Sequence, residues 1–90
     1  MKCLVESNLY LCCKAALGPA RDMDNIIEGL TTLISGHPTQ FPILSHPDLR
    51  IATCRSHQGH FCILFRELLT DPSKIELRRL VYVSQYTTGA

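Results

Sequence analysis

Two groups of residues in this 90-residue chain have types and spacing suited to chemistry. The first is Cys54-x2-His57-x2-His60-x-Cys62, the densest run of ligand-type side chains. Zinc takes four thiolates and imidazoles in a tetrahedron, but this spacing matches no familiar zinc pattern. Strand parity adds a condition, because the stretches on either side read as strands. With a turn of two or four residues between them, Cys54 and Cys62 point to opposite faces and one ion cannot reach both. With three, His57-Gln58-Gly59 and Gly59 left-handed, the two sulfurs share a side. The favoured reading is two buried thiols and two turn histidines, with no metal and no cofactor. A metal site and a Cys54–Cys62 redox pair are the alternatives. His57 and His60 titrate in a range useful for acid–base work, yet no Ser/Asp or Cys/Asp companion stands at motif spacing.

The second group is Arg50, Arg66 and Arg78. A guanidinium presents a planar fork that suits phosphate and carboxylate. Residues 46–90 carry six basic and four acidic side chains, whereas residues 1–45 carry three and four. Anion or partner recognition therefore belongs to the second half. The net charge of +1 excludes a strongly basic nucleic-acid coat. The competing reading is solvated strand faces paired with Glu67 and Glu76. Arg78-Arg79 as a dipeptide adds little, since neighbours in a strand face opposite ways.

The elements that must position these residues follow from periodicity. The length allows one domain, residues 1–90, and 46% hydrophobic residues make it globular. Residues 2–5 suit a short strand. Ser7 or Asn8 caps a helix whose stripe is Leu9, Cys12, Cys13, Ala16 and Leu17, stopped by Gly18-Pro19. Asp22 or Asp24 caps a second helix with Met23, Ile26, Ile27, Leu30, Leu33 and Ile34 on one face, ending at Gly36. So short a link implies an antiparallel helix hairpin. His37-Pro38, Phe41-Pro42 and His46-Pro47 then mark an extended connection that cannot be helix.

Three strand-like stretches follow, at Leu49 to Arg55, His60 to Leu68 and Ile75 to Gln85, joined by turns short enough to force antiparallel pairing. Phe61 to Phe65 is apolar on both faces, as a central strand should be. In the third stretch Ile75, Leu77, Val81 and Val83 share one face, interrupted by Arg79. Glu76, Arg78, Leu80 and Tyr82 share the other. The predicted fold is α+β: a short N-terminal strand and a helix hairpin packed on an antiparallel sheet of three to four strands, in the order β-α-α-β-β-β. Arg66, Arg78 and Tyr82 then project from the face away from the helices. The third stretch, as the last element, is expected at a sheet edge open to β-addition. A homodimer or a heteromeric partner is expected.

Five cysteines, two of them adjacent at Cys12-Cys13, are a poor disulfide framework and point to reduced thiols in the cytoplasm. No apolar run is long enough to span a membrane. Glu6, Ser7, Asn8 and Lys14 break up the N-terminal apolar stretch, against a signal peptide.

Taken in order, these signals resemble the RelE/ParE toxin superfamily over roughly residues 22–85. Gly-Leu-Thr-Thr-Leu-Ile-Ser-Gly-His-Pro (29–38) resembles the family's second helix, which ends at a Pro before a proline-bearing spacer. Leu49-Arg50 is similar to the Leu-Arg that opens the first meander strand. His60-Phe61-Cys62-Ile63-Leu64-Phe65-Arg66 resembles the central strand, and Ile75-Glu76-Leu77-Arg78-Arg79-Leu80-Val81 the closing one. The resemblance implies a toxin neutralised by an antitoxin, directed either at DNA gyrase or at messenger RNA on the ribosome. It implies Arg50, Arg66 and Arg78 as macromolecule contacts, supported by Tyr86 near the chain end. Messenger RNA cleavage needs several basic groups around a scissile phosphate. Residues 86–90 have no basic side chain and Lys is scarce. The gyrase-directed, non-enzymatic branch is therefore preferred to a RelE-type endoribonuclease. The alternative is a non-toxic interaction protein of a mobile genetic element.

Overall fold

A computed structural model describes residues 2–17, 21–45, 49–56, 59–68 and 70–84. The chain runs β1 (Cys3–Glu6), α1 (Asn8–Ala16), α2 (Arg21–Gly36), β2 (Ile43–Ser45), β3 (Leu49–Ser56), β4 (Gly59–Glu67) and β5 (Lys74–Ser84), with a 3-10 turn at Pro38–Gln40. The strands form one five-stranded sheet in the order β1-β5-β4-β3-β2. Strands β2 to β5 pair antiparallel with their neighbours, and β1 lies parallel to β5. The fold is α+β, as expected.

Two features of the sheet differ from expectation. The stretch around the prolines, expected as an extended connection that cannot be helix, contains a short helical turn as well as a strand. Pro38 opens a 3-10 turn, where its missing N–H costs nothing, and the carbonyl of Pro42 accepts from the Ile51 N–H at 3.1 Å, leading into β2. The last strand is also not an edge. β1 returns to its outer side, leaving β1 and β2 as the edges. A parallel return needs a long crossover, which α1, α2 and the meander supply.

Ser7 fixes the start of α1. Its hydroxyl oxygen accepts from the Tyr10 N–H at 3.2 Å, as an N-cap should. The same hydroxyl donates to the Arg78 carbonyl at 3.0 Å, and the Ser7 N–H donates to the Leu77 carbonyl at 3.0 Å. The helix is thereby held against β5 in one rotation. Tyr10 is 1% exposed, and Cys13 and Leu17 pack against the core behind it. Leu9, Cys12 and Ala16, expected in the buried stripe, lie outside it, with Leu9 55% exposed. The stripe is rotated by one residue because the large ring at Tyr10 buries more apolar area than Leu9 would.

α2 begins at Arg21, just ahead of the expected cap, and ends at Gly36 as its glycine suggested. Ile27, Leu30 and Ile34 are buried, while Leu33 is exposed. The end of α2 is stitched to the entry of β1. The Ser35 hydroxyl donates to the Lys2 carbonyl, and the Lys2 N–H donates to the Ser35 carbonyl at 3.0 Å. Lys2 Nζ reaches the Pro72 carbonyl at 2.8 Å and Glu67 at 3.2 Å. The two helices pack chiefly on the sheet, α1 over β5 and α2 over β3, rather than on each other.

The core forms between the helices and one sheet face. Phe61, Ile63 and Phe65 of β4 point into it with Ala52 of β3. On β5 the alternation breaks. Leu64 pairs with Arg79 but Phe65 pairs with Leu77, so Arg78 is an extra, bulged residue. The bulge shifts the pleat by one. Ile75 and Leu77 before it, and Leu80 and Tyr82 after it, all reach the core. The expected grouping of Ile75 and Leu77 with Val81 is therefore replaced, and Tyr82 stacks near Phe61 at 4.8 Å between ring centroids instead of joining Arg66.

Because Ser7 serves the cap and the bulge together, Ser7→Ala should lower stability by about 1–2 kcal/mol in urea denaturation. Tyr10 generates a pH prediction. Burial, and secondarily the Glu6 carboxylate, push its phenol from 10.0 up to about 12. The folded state favours the neutral phenol, so this contribution is complete below pH 10 and is lost as pH rises toward about 12. Comparing Tyr10→Phe with the parent across that window should show a shallower alkaline loss in the variant.

Candidate functional site

The sheet face away from the helices is covered by no described element. Register assigns its side chains. Arg55 faces His60, Thr53 faces Cys62, and Ile51 faces Leu64 across β3 and β4. Val81 lies opposite Cys62, and Arg79 opposite Leu64, on β5. The centre is apolar and half-buried, with Ile51, Cys62, Leu64 and Val81, while Arg55, His60 and Arg79 are exposed around it.

Arg66 and Arg78 meet at one end of this face. Glu76 stands opposite Arg66 in the ladder, and its Oε1 accepts from Arg66 Nε at 3.4 Å and from Arg78 Nη1 at 3.1 Å. Strict alternation would put Arg78 on the same side as Glu76, and the bulge keeps its side chain within reach. One carboxylate oxygen serves two guanidiniums, so the trio keeps a net positive charge. Neither guanidinium makes a further hydrogen bond among the described residues, which leaves donors for an incoming anion. Pairs this exposed contribute only about 0.2–1 kcal/mol each. Their consequence is positional: the two planar forks are held side by side.

Arg50 does not join them. It pairs opposite Phe65 at the end of β3, and its Nη1 donates to the Phe41 carbonyl at 2.6 Å. A longer contact reaches the Thr39 carbonyl at 3.5 Å. These bonds tie the 3-10 turn to the sheet, and Phe41 then stacks edge-on against Phe65 at 5.6 Å. Tyr86 lies outside the described residues.

The cysteine and histidine cluster is divided by parity. Ser56 pairs with Gly59, so a two-residue connection joins β3 and β4. Gly59, at φ 146°, takes a backbone conformation that favours glycine. Cys54 therefore lies opposite Phe61 and packs against the core, while Cys62 lies opposite Thr53 on the open face. One ion or one disulfide cannot join them. His57 is outside the described residues, and no three His, Cys, Asp or Glu side chains among the described residues are placed to hold a metal. All five cysteines are free.

Sequence reasoning placed Glu76 only as an ordinary strand-face partner and missed its shared role. The signal was present in the alternation broken at Arg78-Arg79. No protein-family model, curated protein or solved structure matches the chain.

The arginines should separate by stability. Arg50→Ala removes a bond that satisfies a turn carbonyl and should cost about 1–3 kcal/mol. Arg66→Ala and Arg78→Ala should each cost under about 1 kcal/mol. Urea midpoints of the three variants test this assignment.

Proposed function

We propose that this chain is a toxin-like member of a toxin–antitoxin pair, of RelE/ParE kind, that acts by binding a macromolecule through its open sheet face. The observation that carries the reading is the pair Arg66 and Arg78, held on Glu76 beside an apolar patch. Mixed apolar and guanidinium surfaces suit protein targets. Over the span of the resemblance, α2 is followed by the antiparallel strands β3, β4 and β5. A gyrase-type target fits better than ribosome-dependent cleavage of messenger RNA, because the net charge is only +1. Arg50 is withdrawn into a structural role, so the contact set narrows to Arg66 and Arg78, with Tyr86 supporting. Five free thiols suit a reducing cytoplasm. Separately, no helix among the described residues is long and apolar enough to cross a membrane.

A second reading, a non-toxic interaction protein of a mobile genetic element, draws on β2. Ile43 and Leu44 are each 54% exposed on this edge strand. Successive residues point to opposite faces, so the edge is apolar on both sides, which suits strand addition by an antitoxin, another protein or a second copy.

Inducing the chain alone in a bacterial host should arrest growth, and extracts should show reduced gyrase supercoiling with messenger RNA intact. Arg66→Ala with Arg78→Ala should restore growth while the protein stays folded. Arrest that survives the double variant would remove these residues from the site. Normal growth with folded, soluble parent protein would favour the interaction-protein reading.

A further inference from the structure

A second concavity lies on the helical side, away from the arginines. Because α1 and α2 rest on the sheet rather than on each other, a cleft of about 440 Å³ opens between them. Its floor is apolar, formed by Leu4 of β1, Ile27 of α2 and Leu77 of β5. Its walls carry three carboxylates, Glu6, Asp24 and Glu28, against one cation, Lys14, which lies 3.6 Å from Glu6. The walls thus hold a net negative charge although the chain as a whole is slightly positive.

Acidic walls alone do not make a ligand site, and Tyr10 adds an independent observation. Tyr10 lines the same cleft and is 1% exposed, yet its hydroxyl makes no hydrogen bond to any described residue. Buried hydroxyls normally have a partner, since leaving one unmet costs about 1–3 kcal/mol. The Glu6 carboxylate, on the neighbouring wall, acts on this phenol electrostatically without bonding to it.

We infer that this cleft binds a small aliphatic polyamine. Ammonium groups supply the N–H donors that the carboxylates and the Tyr10 oxygen accept. The methylene segments between them cover Leu4, Ile27 and Leu77. The volume falls within the range of small-molecule sites, about 300–1,000 Å³. An anion would meet the carboxylates unfavourably. A bare divalent cation would leave the apolar floor unused.

Spermidine is the probe, titrated into the full chain by calorimetry at moderate salt. One spermidine should bind per chain, and an uncharged diol of similar length should not bind. Tyr10→Phe, which keeps the ring in the core, should weaken binding about three- to tenfold through loss of one hydrogen bond. Asp24→Asn with Glu28→Gln, both on exposed positions of α2, should weaken it about tenfold or more. Circular dichroism checks that both variants stay folded. Absence of spermidine binding would overturn the inference. So would affinity unchanged in both variants, displacement by magnesium at equal charge concentration, or equal binding of the diol.

Discussion

The hydroxyl of Ser7 joins two things that the fold cannot have independently. It caps α1, and it satisfies the carbonyl of Arg78 at the bulge in β5. A bulge leaves a residue out of the ladder, and its polar backbone then needs a partner elsewhere. Here the partner is the residue that links β1 to α1. The parallel seam between β1 and β5, the rotation of α1 and the pleat of β5 are therefore set together.

Much follows from that seam. With the bulge at Arg78, the core-facing residues of β5 are Ile75, Leu77, Leu80 and Tyr82, and all four reach the helices or the rings of β4. Without it, strict alternation would drive Leu80 and Tyr82 outward and bring Arg79 inward, where an unpaired guanidinium is costly. The bulge also leaves Arg78 able to share Glu76 with Arg66. Core packing and the arrangement of the open face thus have one cause.

The class of fold was legible because it rests on strong, local signals. α2 announces itself by its apolar stripe and by Gly36 at its end, and the apolar run from Phe61 to Phe65 marks a central strand. What was not legible is tertiary. The rotation of α1 that buries Tyr10 instead of Leu9 depends on Ser7 reaching Arg78, 71 residues away on β5. The position of β5 inside the sheet depends on β1, four residues long, returning to its far side. At the candidate site, Arg66 and Glu76 were already placed on neighbouring strands. For Arg50 its type suggested an anion, and its place at the end of β3 also sets it against the carbonyls of Thr39 and Phe41, a neighbour that the sequence pattern does not reveal. Tyr86 and His57 lie outside the described residues. Parity reasoning on Cys54 and Cys62 needed only the turn length, and the Ser56–Gly59 pair supplies it.

The helices bury one face of the sheet, and among the described residues no second layer covers the other. The open face must then be polar enough to stand in water or apolar enough to be covered. This one is divided. Ile51, Cys62, Leu64 and Val81 stay half-buried among themselves, and charge gathers at the margins. Arg66 and Arg78 are neither fully neutralised by Glu76 nor dispersed by it. A lone carboxylate between two guanidiniums holds them close at a cost in mutual repulsion that a second carboxylate would remove. That spare positive charge is compatible with solvent and is better matched by an acidic partner group, whose arrival would complete the pairing while the apolar centre lost its remaining contact with water. Net charge across the whole chain conceals this division, because the helical side carries the opposing carboxylates. The molecule thus has two unlike surfaces separated by one core: acidic side chains of β1 and α2 on the helical side, and on the other the face that the bulge in β5 arranges.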